Sequence, residues 1–263
     1  MTYQRWVLYL LVCGFVFVGS SLIAEDAVMS DAPNDLHIYL LIGQSNMAGR
    51  APLTDDVSGV IERCYLLNGQ DEWEPAQNPL NRYSTIRKGL GMQRLGPGYA
   101  FAQAMLVQDA HIQIGLVVNA RGGSSIREWA KGSKAYDDAV RRTRKAMERG
   151  ELKGIIWHQG ESDSSDAQYL EKLAALIVNL RADLDAPGLP FVAGQVLYDP
   201  DTRAHTKQIN EILVELPNAV PFTGCVMSDG LTSFDNLHFD TRSALLLGER
   251  YAEEILRILT LEQ

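Results

Sequence analysis

The sequence predicts an α/β domain: a central, mainly parallel sheet with helices on both faces. Three observations carry this. Residues 38–42, 112–118, 153–157 and 190–197 are near-continuous apolar runs of strand length, the pattern of strands buried on both sides. Segments with helical spacing alternate with them, so each strand returns to the sheet through a helix and lies parallel to its neighbour. The polar clusters Ser45, Gly122-Gly123-Ser124 and Gln159-Gly160-Glu161 each follow a strand directly. That is the carboxyl edge of the sheet, where open α/β folds bind their ligands.

Taken in order, Ile38-Tyr39-Leu40-Leu41-Ile42 is broken by Gly43 and runs into Ser45. Residues 50–97 form a long irregular excursion rich in proline and glycine, with a small hairpin expected from residues 60–67 and Glu72-Trp73. Pro97 opens a helix to about Gln108, with Phe101, Met105 and Leu106 on one face. After the strand at 112–118 comes a charged helix at 136–148, then the strand ending at Trp157. Leu170, Leu173, Leu176, Ile177, Leu180 and Leu184 mark a helix over 167–184. A strand at 190–197, a helix at 206–216 and a short element carrying Cys225 follow. The final helix starts after Asp240, an N-cap residue type, and buries Ala244, Gly248, Tyr251, Ile255 and Leu259.

The 263 residues suit one domain with a large core. A formal charge of −9 argues against nucleic acid and against an anionic membrane surface, since both demand basic patches. No metal-type Cys/His cluster, phosphate loop or nucleotide fingerprint occurs, so no cofactor is expected. Arg5, an apolar run over 6–18, small residues up to Ala24 and acidic Glu25-Asp26 read as a signal peptide over 1–24. An uncleaved anchor is the rival reading. The expected mature domain is 25–263, secreted or periplasmic, with no membrane attachment once the signal is removed. Cys13 leaves with the signal, while Cys64 and Cys225 either pair or stay as two free thiols.

A serine nucleophile needs a base to take its proton, and the base needs an orienting carboxylate. Asp235-Asn236-Leu237-His238 can supply both from one tight segment. Gly123 offers an unobstructed backbone N–H and Gln159 an amide N–H₂. With the N–H of Ser45 these make three candidate oxyanion donors. Gln44 and Asn46, beside Ser45, are candidate substrate contacts. Trp129 is either an aromatic face for a sugar ring or a tryptophan pinning its loop.

Gly43-Gln44-Ser45-Asn46-Met47, His158-Gln159-Gly160-Glu161-Ser162 and Asp235-x-x-His238, in this order, resemble the SGNH (GDSL-like) hydrolases. The wording is most similar to the sialate O-acetylesterase-like branch, which includes the acetylxylan esterases of carbohydrate esterase family 6. The resemblance spans about residues 37–258 and implies a flavodoxin-like three-layer α/β/α sandwich. It implies catalytic Ser45, Asp235 and His238, and an oxyanion hole of Ser45, Gly123 and Gln159. Gln159 stands where most of the superfamily has asparagine. Glu161 is either an outer carboxylate or a second partner of His238 in a supporting role. An α/β-hydrolase also reads Ser…Asp…His, but its elbow Gly-x-Ser-x-Gly would need glycine at Met47.

The resemblance thus implies a cofactor-free serine esterase that deacetylates a carbohydrate, acetylxylan or a related acetylated oligo- or polysaccharide. A sialate O-acetylesterase is the alternative within the family. A non-catalytic carbohydrate-binding module of the same fold is the alternative outside enzymes, and a binder has no need of all three residues. Which sugar is bound and which oligomer forms stay open at this level.

Overall fold

The computed structural model describes Met1 and residues 34–260. The signal segment expected over 1–24 lies outside the described residues apart from Met1. β1 (Leu36–Gly43), β4 (Gln113–Val118), β5 (Gly150–His158), β6 (Phe191–Gly194) and β7 (Thr223–Val226) are parallel. With β2 (Val60–Leu67) and β3 (Trp73–Gln77) they form one seven-stranded sheet in the order β3-β2-β4-β1-β5-β6-β7. The strands alternate with α1 (Ser45–Ala48), α2 (Gly98–Gln108), α3 (Lys134–Ala146), α4 (Tyr169–Asp183), α5 (Lys207–Val214), α6 (Leu216–Ala219) and α7 (Thr241–Thr260).

β1 shows why this sheet is covered on both sides. Tyr39 and Leu41 join a core with Phe101 and Met105 of α2 and Leu247, Tyr251 and Ile255 of α7. Leu36, Ile38, Leu40 and Ile42 point the other way, into a core with Tyr136 of α3, Leu173 and Leu176 of α4 and Ile209 of α5. Because successive side chains alternate faces, only a continuous apolar run can serve both layers. The three-layer sandwich is the one expected from sequence.

Three details depart from or extend the expectation. The hairpin within 50–97 is not a separate excursion: β2 runs parallel to β4, with Cys64 opposite Ile114 and Leu66 opposite Leu116. It lengthens the sheet and carries β3 as an antiparallel edge. The strand expected over 190–197 stops at Gly194, because the Asn210 side chain takes the backbone of Val196. Asn210 Oδ1 accepts from Val196 N–H at 2.9 Å and Nδ2 donates to Val196 O at 2.9 Å. Cys64 and Cys225 are free thiols. They sit on β2 and β7, five inter-strand steps apart in the sheet order, or roughly 24 Å at about 4.8 Å per step, far beyond disulfide reach.

The sheet's centre leaves no slack where β1 ends. Gly43 has φ of +135°, and a Cβ there would lie 2.2 Å from the carbonyl oxygen of His158 on β5. Gly43→Ala is therefore expected to cost about 2–4 kcal/mol, combining backbone strain with overpacking. Gly59, with open space around its Cβ position, is the control, and Gly59→Ala should stay within about 0.5 kcal/mol of wild type. Urea midpoints of the two variants check this; equal midpoints would contradict it.

Candidate active site

Ser45 is delivered by backbone bonds on both sides of β1. Arg121 N–H donates to Gly43 O at 3.0 Å, and Gln44 N–H donates to His158 O at 2.8 Å. The strand is thus held by both neighbours up to the residue before the serine. Ser45 then opens the one-turn α1, and as a first helical residue it keeps its N–H free of an intrahelical acceptor. Its side chain is almost buried, at 6% exposure.

The histidine arrives on a self-contained loop. Asp235 Oδ1 accepts from the N–H groups of Leu237 (3.0 Å) and His238 (2.7 Å), and Oδ2 lies 2.7 Å from His238 Nδ1. This tight turn requires Asn236 at φ of +61°, a left-handed conformation that asparagine tolerates well. Arg203 holds the same turn by donating to Asn236 O at 3.2 Å. An acceptor at Nδ1 places the ring proton there and leaves Nε2 as the basic nitrogen. Partial burial opposes ionisation of Asp235. Hydrogen bonds from the His238 ring, the His238 backbone and the Leu237 backbone outweigh it and hold the carboxyl below its ordinary value. Phe234 stacks on the imidazole, with centroids 6.1 Å apart and planes 23° from parallel, and is half exposed.

The two halves meet through Asn46. Its Nδ2 donates to Glu161 Oε1 at 2.7 Å and to Leu237 O at 3.4 Å, and its Oδ1 accepts from Phe239 N–H at 3.1 Å. The residue after Ser45 therefore grips the peptide groups on either side of His238.

The supporting residues differ from the sequence expectation. Asn46 and Gln44 were expected to touch substrate, yet both are buried and spent on the protein; Gln44 Oε1 accepts from Gln159 Nε2 at 3.1 Å and from Ser162 N–H at 3.4 Å. Gln159 is fully buried, and its amide nitrogen faces Gln44 Oε1, Ser124 O (3.1 Å) and Asp163 Oδ2 (2.6 Å). Two N–H bonds facing three acceptors leave none for an oxyanion. Glu161 reaches Asn46 and lies beside buried His158, with Nε2 to Oε1 at 3.9 Å; the carboxylate on His238 is that of Asp235. Trp129 is fully buried, donates to Ser124 Oγ at 3.0 Å and packs edge-on against Trp157. It pins its loop, and its ring is closed to a sugar.

Gly123 stands at φ of +69°, and its N–H makes no hydrogen bond among the described residues. Its neighbour Gly122 is the one against the nucleophile: a Cβ there would lie 3.7 Å from Ser45 Cβ and 2.5 Å from Arg50 Nη2. Arg50, which sequence reading passed over, is anchored through Nη1 to Gly49 O (2.7 Å) and Met92 O (3.0 Å). It brings a guanidinium to the serine's side of the glycine pair. Phe234 and Asp163 were also missed. Asp163 holds Ser125 Oγ at 2.6 Å, Ile126 N–H at 2.8 Å and Gln159 together. The only signal for it was its place four residues after Gln159 on one loop.

This arrangement of a turn-borne serine, an Asp-held histidine and backbone donors can run nucleophilic acyl transfer. The chain is 34% identical over 242 residues to a probable carbohydrate esterase, At4g34215, of Arabidopsis thaliana, covering 83% of this chain and 90% of that protein. The crystal structure of the Arabidopsis protein AT4G34215 superimposes with a TM-score of 0.74 at 31% identity, over 86% of this chain and 98% of that one. The fold is shared with NanS (TM-score 0.67, 17% identity, 88% and 99% covered). It is shared also with XAC1771, a carbohydrate acetylesterase from Xanthomonas citri (0.60, 22%, 84% and 56%). Residues 35–257 match the family described as carbohydrate esterase, sialic acid-specific acetylesterase, and with a seven-stranded α/β sandwich around Ser45 and His238 the chain belongs to that family.

Proposed function

We propose that the protein is a serine esterase that removes O-acetyl groups from carbohydrate through an acetyl-enzyme. The observation that carries this reading is the Asp235–His238 pair at 2.7 Å, clamped by Asn46 to the turn that bears Ser45. Nε2 of His238 takes the Ser45 proton as Oγ attacks the acetyl carbon. The N–H groups of Ser45 and Gly123 receive the developing oxyanion, and the sugar hydroxyl leaves with the proton from His238. Water, deprotonated by the same nitrogen, then releases acetate. Phe234, half exposed against His238, offers the aromatic surface that Trp129 does not. A location outside the cell, secreted or periplasmic, accords with the signal-like N-terminus and with such substrates.

The second reading, a sialate O-acetylesterase, is favoured by Arg50. An acidic sugar would find in its guanidinium, beside Gly122 and Ser45, a cationic partner in an otherwise acidic protein.

Ser45→Ala is expected to remove nearly all esterase activity while leaving the thermal midpoint in place. Activity within tenfold of wild type would exclude Ser45 as nucleophile, and a fluorophosphonate should label Ser45 alone.

Asp235→Asn should lower kcat by about two to four orders of magnitude with KM little changed, since an amide N–H₂ against Nδ1 reverses the imidazole tautomer. Because the Asp235 carboxyl is held below its ordinary value, the wild type should keep this carboxylate ionised down to the ordinary carboxylate range, near pH 4, and lose its help only below that. A kcat–pH profile of wild type against variant checks the sign: the gap between them must close toward acid, never widen.

Acetyl should be preferred to longer acyl groups, and sugar esters to lipid esters. A chain-length series of p-nitrophenyl esters, run beside acetate release from acetylxylan, acetylated glucomannan and O-acetylated sialic acid, is the test. Faster octanoate than acetate hydrolysis, with no acetate from any glycan, would overturn the carbohydrate reading. Release from the sialic acid alone would select the second one.

A further inference from the structure

Behind Asn46 lies a buried histidine–carboxylate pair that the acyl-transfer chemistry leaves unused. The Tyr251 hydroxyl donates to Trp157 O at 2.9 Å, which spends its one proton. Its oxygen therefore accepts from His158 Nδ1, 2.9 Å away, and Nδ1 carries a hydrogen. A neutral His158 would then present a bare lone pair at Nε2. That nitrogen is buried with no hydrogen-bond partner among the described residues, and so is Glu161 Oε2. The ring nitrogen lies 3.9 Å from Glu161 Oε1. A lone pair facing an ionised carboxylate in a dry interior is repulsive and leaves two polar atoms unsatisfied.

We propose that His158 and Glu161 jointly hold one proton, and that the pair so neutralised is a positioning device: it fixes Asn46 and, through Asn46, the backbone on both sides of His238. This rests on the esterase reading only for its effect on rate. As imidazolium facing carboxylate, or imidazole facing carboxylic acid, the pair has the same proton count and no net charge, and His158 Nε2 no longer turns a bare lone pair toward an anion. The link to the site is direct. Glu161 Oε1 accepts from Asn46 Nδ2 at 2.7 Å, and the same amide meets Leu237 O and Phe239 N–H. The two contacts also fix which way that amide points.

The surroundings are built for it. A Cβ on Gly194 would lie 2.0 Å from the Tyr251 hydroxyl and 2.8 Å from His158 Nδ1, so β6 makes room for this bond. The Phe239 ring meets His158 edge-on at 5.6 Å. The other titratable groups around the pair are Tyr251 from α7, Tyr169 from α4, Asp163 and Cys225; burial pushes both tyrosines and Cys225 upward, so they stay neutral. Burial holds the His158 ring below its ordinary value, and the Glu161 carboxylate opposes this only in part.

Glu161→Gln is the discriminating variant, because glutamine copies a protonated glutamate: its oxygen accepts from Asn46 and its N–H₂ donates to His158 Nε2. It should fold and keep kcat within about fivefold of wild type, whereas Glu161→Ala should lose roughly 100-fold in kcat with KM largely kept. Equal losses in the two variants overturn the proposal. A second measurement needs no activity and no variant: ring ¹⁵N shifts of His158 and the side-chain ¹³C carboxyl shift of Glu161 in the wild type. Imidazolium with carboxylate, or an Nδ1–H imidazole with carboxylic acid, supports the shared proton. A neutral Nε2–H ring, or a neutral ring beside an ionised Glu161, refutes it. Should no ester be cleaved by the wild type, the esterase reading fails, and these shifts still decide the pair.

Discussion

The amide of Asn46 is the contact on which the site's geometry depends. It joins the turn after β1 to the loop before α7, positions 191 and 193 residues apart in sequence. Closing so long a loop costs entropy that no local contact returns. The two ends meet because both are secured first by other structure. β1 is locked between β4 and β5 up to Gly43 and Gln44. The far loop is tied by Asp240, which caps α7 through Ser243 N–H at 2.8 Å, and by Asp235 within its own turn. Asn46 then has only a short gap to bridge, which it does with one amide N–H and its carbonyl oxygen, the other N–H going to Glu161.

A division of labour follows from burial. The residues around Ser45 that carry polar side chains on the loops after β1 and β5, namely Gln44, Asn46, Gln159 and Asp163, bond one another or nearby backbone and are closed to solvent. Buried polar networks of this kind are costly when one member is unsatisfied and rigid when all are satisfied. Their use here is to hold Ser45 and the glycine pair still. The groups left open at the rim are the half-exposed Phe234, the Arg50 guanidinium and the backbone N–H of Gly123, which makes no hydrogen bond among the described residues. Motif side chains here hold the turns that carry Ser45 and His238, and less conspicuous residues face outward.

The same logic separates the two carboxylates. Asp235 is partly exposed and takes three hydrogen bonds, so it is a stable anion suited to orienting an imidazole. The Glu161 side chain is almost wholly buried, with one oxygen spent on Asn46 and the other unpartnered among the described residues. Two acids within one site are thereby given different work by their surroundings, although the sequence presents both as candidates for the same histidine.

Sequence by itself determined the layers, the strands and the triad candidates. Continuous apolar runs such as residues 38–42 can be satisfied only by helices on both faces, and period and spacing are local properties. Asp235 was legible as partner of His238 because three residues of chain tether them. Tertiary structure decided everything that depends on which atoms meet across the sheet edge. Gln159 reads as a free amide until Asp163, Ser124 and Gln44 converge on it, and Trp129 reads as a sugar platform until Trp157 covers it. Arg50 and Phe234 carried no pattern, since a single side chain in a loop leaves no periodicity. Their positions follow from how residues 50–97 and 229–240 fold back over the carboxyl edge, and hydrogen bonds between residues over a hundred positions apart cannot be read from spacing.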